Sequence, residues 1–138
     1  MDATELCWLS AAEIREGLRR RDFSCLEVVK AHLDRIATVD PKIEAYITVL
    51  DDAAVSRAKE LDVDLAAGRE SGILHGVPYS LKDVFQTKGI RTTAGSRILS
   101  EWIPDEDATA VKQLDNAGAV HGNGGNNRAF HQVDDNRV

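Results

Sequence analysis

Two short signatures, Ser10-Ala11-Ala12-Glu13 and Ser24-Cys25-Leu26-Glu27, dictate where the first part of this chain turns helical. Each sets a serine three residues ahead of a glutamate. The serine oxygen accepts from the glutamate's backbone N–H while the carboxylate reaches back to the serine N–H, satisfying donors that a helix start leaves unpaired. Ile14 and Leu18 then share a face of the first helix; Val29, Leu33 and Ile36 follow at helical spacing in the second. Arg19-Arg20-Arg21 falls where the first helix should finish. Positive charge there complements the helix dipole, so the cluster reads as a helix end. Asp40-Pro41 is expected to stop the second helix, because proline disfavours helical backbone in the residue before it. Residues 45–50 are rich in β-branched and aromatic side chains and predict a short strand. A third helix is expected over 52–67, with Val55, Ala58, Leu61 and Leu65 as its apolar stripe and Gly68 as a left-handed stop.

The texture changes after Gly68. Residues 72–78 read as a loop, 79–84 as a strand, and Gly89 as a turn. Asp107-Ala108-Thr109 can start a helix carrying Val111 and Leu114 and ended by Gly118, before Ala119-Val120 opens another strand. Strand, loop, helix, strand in that order predicts an α/β fold with a mixed or parallel sheet. Residues 1–120 form the expected domain; 121–138, polar and glycine-rich without periodicity, predict a loop or disordered tail.

Composition excludes several functions. With a formal net charge of −6, a phosphate-binding surface is not expected, and so no direct contact with nucleic acid. No apolar stretch is long enough to span a membrane, and the acidic start Met1-Asp2-Ala3-Thr4-Glu5 lacks the basic residues of a secretory signal. Cys7 and Cys25 make no disulfide framework, so a cytoplasmic, reduced chain is expected. His32, His75, His121 and His131 are scattered without metal-ligand spacing, even with Asp134 and Asp135 near the last two, and no metal is expected. The run 122–127 nears a dinucleotide loop, but Asn127 stands where the third glycine belongs.

One lysine stands apart. Lys82 lies in Leu74-His75-Gly76-Val77-Pro78-Tyr79-Ser80-Leu81-Lys82-Asp83, an otherwise largely apolar run. Lysine works as a base only when uncharged, and burial among apolar groups disfavours the ammonium. Val77, Leu81, Val84 and Phe85 are the neighbours expected to bury Lys82, against the simpler reading of Lys82-Asp83 as a solvated pair. If the strand is extended through Asp83, Ser80 shares a face with Lys82, as a dyad or merely as a small neighbour. Ser96 follows a glycine and reads as structural, donating to a loop carbonyl.

Taken together, Gly76-Val77-Pro78 with Leu81-Lys82-Asp83, then Thr92-Thr93-Ala94-Gly95-Ser96, then Asp107-Ala108-Thr109 leading to Ala117-Gly118-Ala119-Val120, resemble the start of the amidase signature family. The Asp40 to Tyr46 turn and the helices before it are similar as well. The resemblance implies an incomplete amidase-signature fold, N-terminal helices followed by the first strands and helices of its mixed sheet. It implies hydrolysis of carboxamide C–N bonds by a Ser–cisSer–Lys triad, without cofactor. Lys82 matches the catalytic lysine. The substrate would be a small amide, met by the full-length parent. The family also includes the ammonia-releasing subunit of tRNA-dependent amidotransferases, which implies a possible protein partner. Two departures stand out. The family's Gly-Lys-Thr-Asn-like segment is replaced by Asn123-Gly124-Gly125-Asn126, and the ending Asp135 to Val138 resembles the stretch just before the family's serine-bearing loop. The chain is therefore expected to be an N-terminal fragment of an amidase, inactive alone because both serines are absent. The alternatives are a non-catalytic helical interaction module or a degraded gene product.

Overall fold

The computed structural model describes residues 2–123. Helices α1 (Ala3–Leu6), α2 (Ala11–Arg20), α3 (Cys25–Ile43) and α4 (Asp51–Ala66) precede strand β1 (Pro78–Ser80), helix α5 (Thr109–Asn116) and strand β2 (Val120–Asn123). Both capping boxes form as expected. Ser10 N donates to Glu13 Oε2 at 2.8 Å and Glu13 N to Ser10 Oγ at 3.3 Å. The same pair of bonds joins Ser24 and Glu27, at 2.7 and 3.1 Å. A distant group adds to the second start: the Asp62 carboxylate, on α4, accepts from Cys25 N at 2.7 Å and Leu26 N at 3.1 Å. One side chain thus satisfies two orphan donors of α3 and locks α4 to it.

The core lies where α2, α3, α4 and the strands converge. Ile14 and Leu18 meet Cys25, Val28 and Val29 of α3, Ala54, Ala58 and Leu61 of α4, and Val77 and Val120 beside and within the strands. Of the expected α4 stripe, Ala58 and Leu61 are fully buried while Val55 and Leu65 pack on the edge. Gly68 is left-handed, as anticipated, at φ 76°. α2 finishes at Arg20, and Arg21 itself takes the left-handed position at φ 60°. Arg19 pairs instead with Glu70 at 2.7 Å.

Three sequence expectations are corrected. α3 does not stop at Asp40-Pro41 but runs to Ile43. Pro41 falls in the last turn, and Asp40 closes the end: its carbonyl accepts from Glu44 N at 2.7 Å and its Oδ1 from Ala45 N at 2.7 Å and Tyr46 N at 3.2 Å. Those last bonds explain the second correction. Residues 45–50 form no strand beyond a single bridge at Tyr46: Asp40 holds the Ala45 and Tyr46 N–H groups, and the Leu50 carbonyl already starts α4 through Ala54 N. The third concerns 79–84. The strand is only Pro78–Ser80, and the chain then turns, with the Lys82 carbonyl accepting from Val84 N at 2.7 Å and Phe85 N at 3.1 Å.

The sheet is parallel, as one of the two expected arrangements. Pro78 pairs with Val120 and Tyr79 with His121, and the register slips before Ser80, which faces Asn123. β2 therefore continues through His121 to Asn123, past the boundary expected at Val120; residues 124–138, with His131, Asp134 and Asp135, lie outside the described residues. Among the described residues, no helix is long and apolar enough to cross a membrane, and no group of three or more His, Cys, Asp or Glu side chains is placed to hold a metal ion.

Candidate functional site at the end of the first strand

The approach to β1 is built around Gly76. Its φ of 76° suits glycine, and a Cβ there would lie 2.5 Å from Cys25 Sγ and 2.6 Å from Leu18 Cδ1. The chain therefore passes directly over the junction of α2 and α3. His75, fully buried, anchors the same turn: its Nδ1 accepts from Ser71 N at 2.9 Å and its Nε2 faces the Leu61 carbonyl at 3.2 Å. These contacts require the tautomer with its proton on Nε2. Leu74 N donates to Ala117 O and Gly76 N to Gly118 O, which tie the turn to the end of α5. β1 thus leaves a rigid base.

Lys82 stands just beyond the carboxyl end of β1, the side of a parallel sheet on which α/β folds place their ligands. It is half-buried. Val77 and Leu81 are buried as expected, but Val84 and Phe85 are 47% and 38% exposed, so only two of the four residues expected to bury Lys82 are themselves buried. The turn at Lys82 explains this: the strand alternation stops before it could carry Val84 inward.

Lys82 and Asp83 are not a solvated pair. Asp83 is 3% exposed and turns inward, where its Oδ1 accepts from Thr93 N at 2.6 Å and its Oδ2 from the Thr93 hydroxyl. Thr93 Oγ1 accepts from Gly95 N at 3.2 Å. The neighbouring Thr92 is buried, donating from N to the Trp102 carbonyl and from its hydroxyl to the Ile90 carbonyl. The structure therefore brings the two most recognisable segments, Leu81-Lys82-Asp83 and Thr92 to Ser96, side by side through one carboxylate. Sequence reasoning missed Asp83 and Thr93; an acid beside the lysine and a doubled threonine were visible, but nothing local told that they meet.

Ser80 does not share an extended strand with Lys82. It ends β1 in an exposed position, and the backbone is no longer strand at Lys82. Ser96 is structural as read, but as an acceptor: its Oγ takes the Ile98 N–H at 3.2 Å. A second unanticipated cluster spans the strands. Tyr79 donates to Asp115 Oδ1 at 2.7 Å and stacks on His121, with ring centroids 4.8 Å apart and an interplanar angle of 11°. Burial raises the Tyr79 phenol above its usual range, reinforced by its bond to Asp115, and burial pushes His121 down. Both rings thus favour their uncharged forms. Assigning His121 to a tail hid this pair.

Comparison with known proteins agrees on one family. The family described as Amidase matches residues 27–131. One subunit of the glutamyl-tRNA(Gln) amidotransferase of Carboxydothermus hydrogenoformans is 48% identical over 116 residues, covering 84% of this chain and 24% of that protein. The chain thus spans about a quarter of the length of the curated relatives it matches. Among solved structures, the native peptide amidase of Stenotrophomonas maltophilia superposes with a TM-score of 0.77 at 33% identity, over 85% of this chain and 24% of that one. Fatty acid amide hydrolase superposes at 0.83 with 26% identity, over 89% of this chain and 22% of that one.

Proposed function

The chain belongs to the amidase family, and on that premise we propose that it supplies the lysine base for hydrolysis of a carboxamide C–N bond. The observation carrying this reading is the place of Lys82: half-buried, just past the carboxyl end of a parallel strand, on a turn whose next residue is a buried carboxylate.

In this reading the Lys82 amine takes a proton, through a bridging serine, from a second serine that attacks the amide carbonyl. The tetrahedral intermediate collapses to an acyl-enzyme and releases ammonia or an amine, which carries away the proton passed back from the relay. Water then attacks the acyl group, returning the carboxylic acid and the free serine. The chemistry uses no metal or cofactor. The parent substrate is a small amide, and assembly with a partner subunit fits the same reading. No serine of this chain stands in the serine-rich motif the triad requires, so the 138-residue polypeptide by itself turns over no amide.

The test has two arms. Purified alone, the chain and its Lys82→Ala variant should both show only the background rate; lysine-dependent turnover by the chain alone would mean that a local serine such as Ser80 or Ser96 acts as nucleophile. Grafted in place of the matching 116 residues of the Carboxydothermus relative, the chain should restore amide hydrolysis. Lys82→Ala in that graft should cost about a thousandfold or more in kcat, as loss of one member of a catalytic unit does. Retained activity would refute the role.

A further inference from the structure

We propose that Asp83 is the positioning residue for Lys82: its buried carboxylate clamps the loop 93–96 to the turn that carries the lysine. This rests on the reading of Lys82 as the base. A buried carboxylate is costly unless hydrogen-bonded, and Thr93 supplies both a backbone and a hydroxyl donor to its two oxygens. Charge-assisted bonds of this kind are stronger than neutral ones and fix geometry on both sides. On one side, Asp83 follows Lys82 directly, within the turn closed by Val84 N and Phe85 N on the Lys82 carbonyl. Leu81, buried just before Lys82, holds the backbone from the other direction. On the other side, Thr93 passes the restraint to Gly95 through its hydroxyl oxygen, while Thr92 fixes the base of the loop on Trp102 and Ile90. The Lys82 backbone is therefore held on both sides and its side chain is left as the moving part. Such bracing matters because a catalytic group works only within a fraction of an ångström of its productive place.

The clamp has a direction that substitution can reverse. In Asp83→Asn the amide oxygen still accepts from Thr93 N, but the amide NH₂ then faces Thr93 Oγ1. That oxygen can accept from both Gly95 N and the amide, but its own proton, which the carboxylate had accepted, loses its acceptor. Thr93→Val removes the hydroxyl and releases Gly95 while leaving Asp83 and its bond to Thr93 N. Thr93→Ser keeps the hydroxyl.

The experiment is competitive amine labelling of the whole 138-residue chain, read by mass spectrometry. Lys82 is compared with Lys30, Lys42, Lys59, Lys88 and Lys112 in the same molecule. Helical circular dichroism confirms that each variant is folded. The expected result is a several-fold rise of Lys82 labelling relative to the other lysines in Asp83→Asn and in Thr93→Val, with Thr93→Ser near the parent value. Val28→Ala, a core cavity away from the clamp, controls for general loosening and should leave the ratio unmoved. If Asp83→Asn does not fold, the Thr93 pair decides. An unchanged Lys82 ratio in a folded Thr93→Val, or an equal change in Val28→Ala, would overturn the proposal. Labelling involves no turnover, so this failure is separate from loss of the base reading, which the Lys82→Ala graft detects by activity.

Discussion

Gly76 and Gly68 share the same backbone angle, φ 76°, and differ only in what an added methyl would meet. That makes Gly76→Ala and Gly68→Ala a matched pair. An alanine held in the left-handed region costs about 1–2 kcal/mol, partly offset by the reduced freedom of its unfolded chain, so Gly68→Ala should destabilise by about 1 kcal/mol. Nothing lies within 4 Å of its added Cβ. At Gly76 the same methyl would meet Cys25 Sγ at 2.5 Å and Leu18 Cδ1 at 2.6 Å. Cys25 is 0% and Leu18 1% exposed, so neither has open space to retreat into. Overpacking of this kind adds about 1–3 kcal/mol. The difference between the two variants should then be about 1–3 kcal/mol, or about 4–12 °C in the unfolding midpoint. Urea and thermal unfolding followed by circular dichroism measure both. If the two variants lie within about 0.5 kcal/mol of each other, the packing of the β1 approach over Leu18 and Cys25 is wrong, and with it the rigid base assigned to Lys82.

Asp62→Ala should cost about 1–2 kcal/mol by freeing the Cys25 and Leu26 N–H groups, more than an exposed helix substitution such as Lys59→Ala, measured by urea unfolding. Glu27 is held below its ordinary value of 4.5 by the Ser24 N–H first and the Ser24 hydroxyl second. A lowered carboxyl contributes stability that is complete above the unfolded value and lost as pH falls through the folded one. Glu27→Gln should therefore flatten the acid side of the stability profile below about pH 4 and leave its alkaline side unchanged. Burial first, then the Asp62 charge, pushes the Cys25 thiol up to about 12. An alkylating reagent at neutral pH should modify Cys7 well before Cys25, and comparable rates in the folded chain would contradict the burial of α3's first turn.

What the sequence made legible was local. The capping boxes, the α4 stripe and the Gly68 stop each depend on residues within a turn or two of one another, and each appears where expected. The family resemblance also placed Lys82 and the threonine loop as the two segments to watch. The errors arose where a distant or unexpected partner won. Residues 45–50 have strand composition, yet the Asp40 side chain takes the N–H groups at their start. The run 79–84 alternates plausibly, yet it turns at Lys82 as the Asp83 carboxylate reaches across to Thr93. His121 sits at the head of a polar, glycine-rich run, and only its pairing opposite Tyr79 reveals a strand. No period or propensity encodes a carboxylate ten residues from its donor or a register between strands forty residues apart.

Whether Lys82 activates a serine nucleophile is decided by the rate at which a fluorophosphonate, a serine-directed acylation mimic, labels the graft of this chain onto its Carboxydothermus relative. Covalent labelling of one serine from the relative's portion is expected, slowed by orders of magnitude in Lys82→Ala while binding of a non-reactive amide is retained. Equal labelling rates with and without the Lys82 amine would contradict the role of the lysine as base.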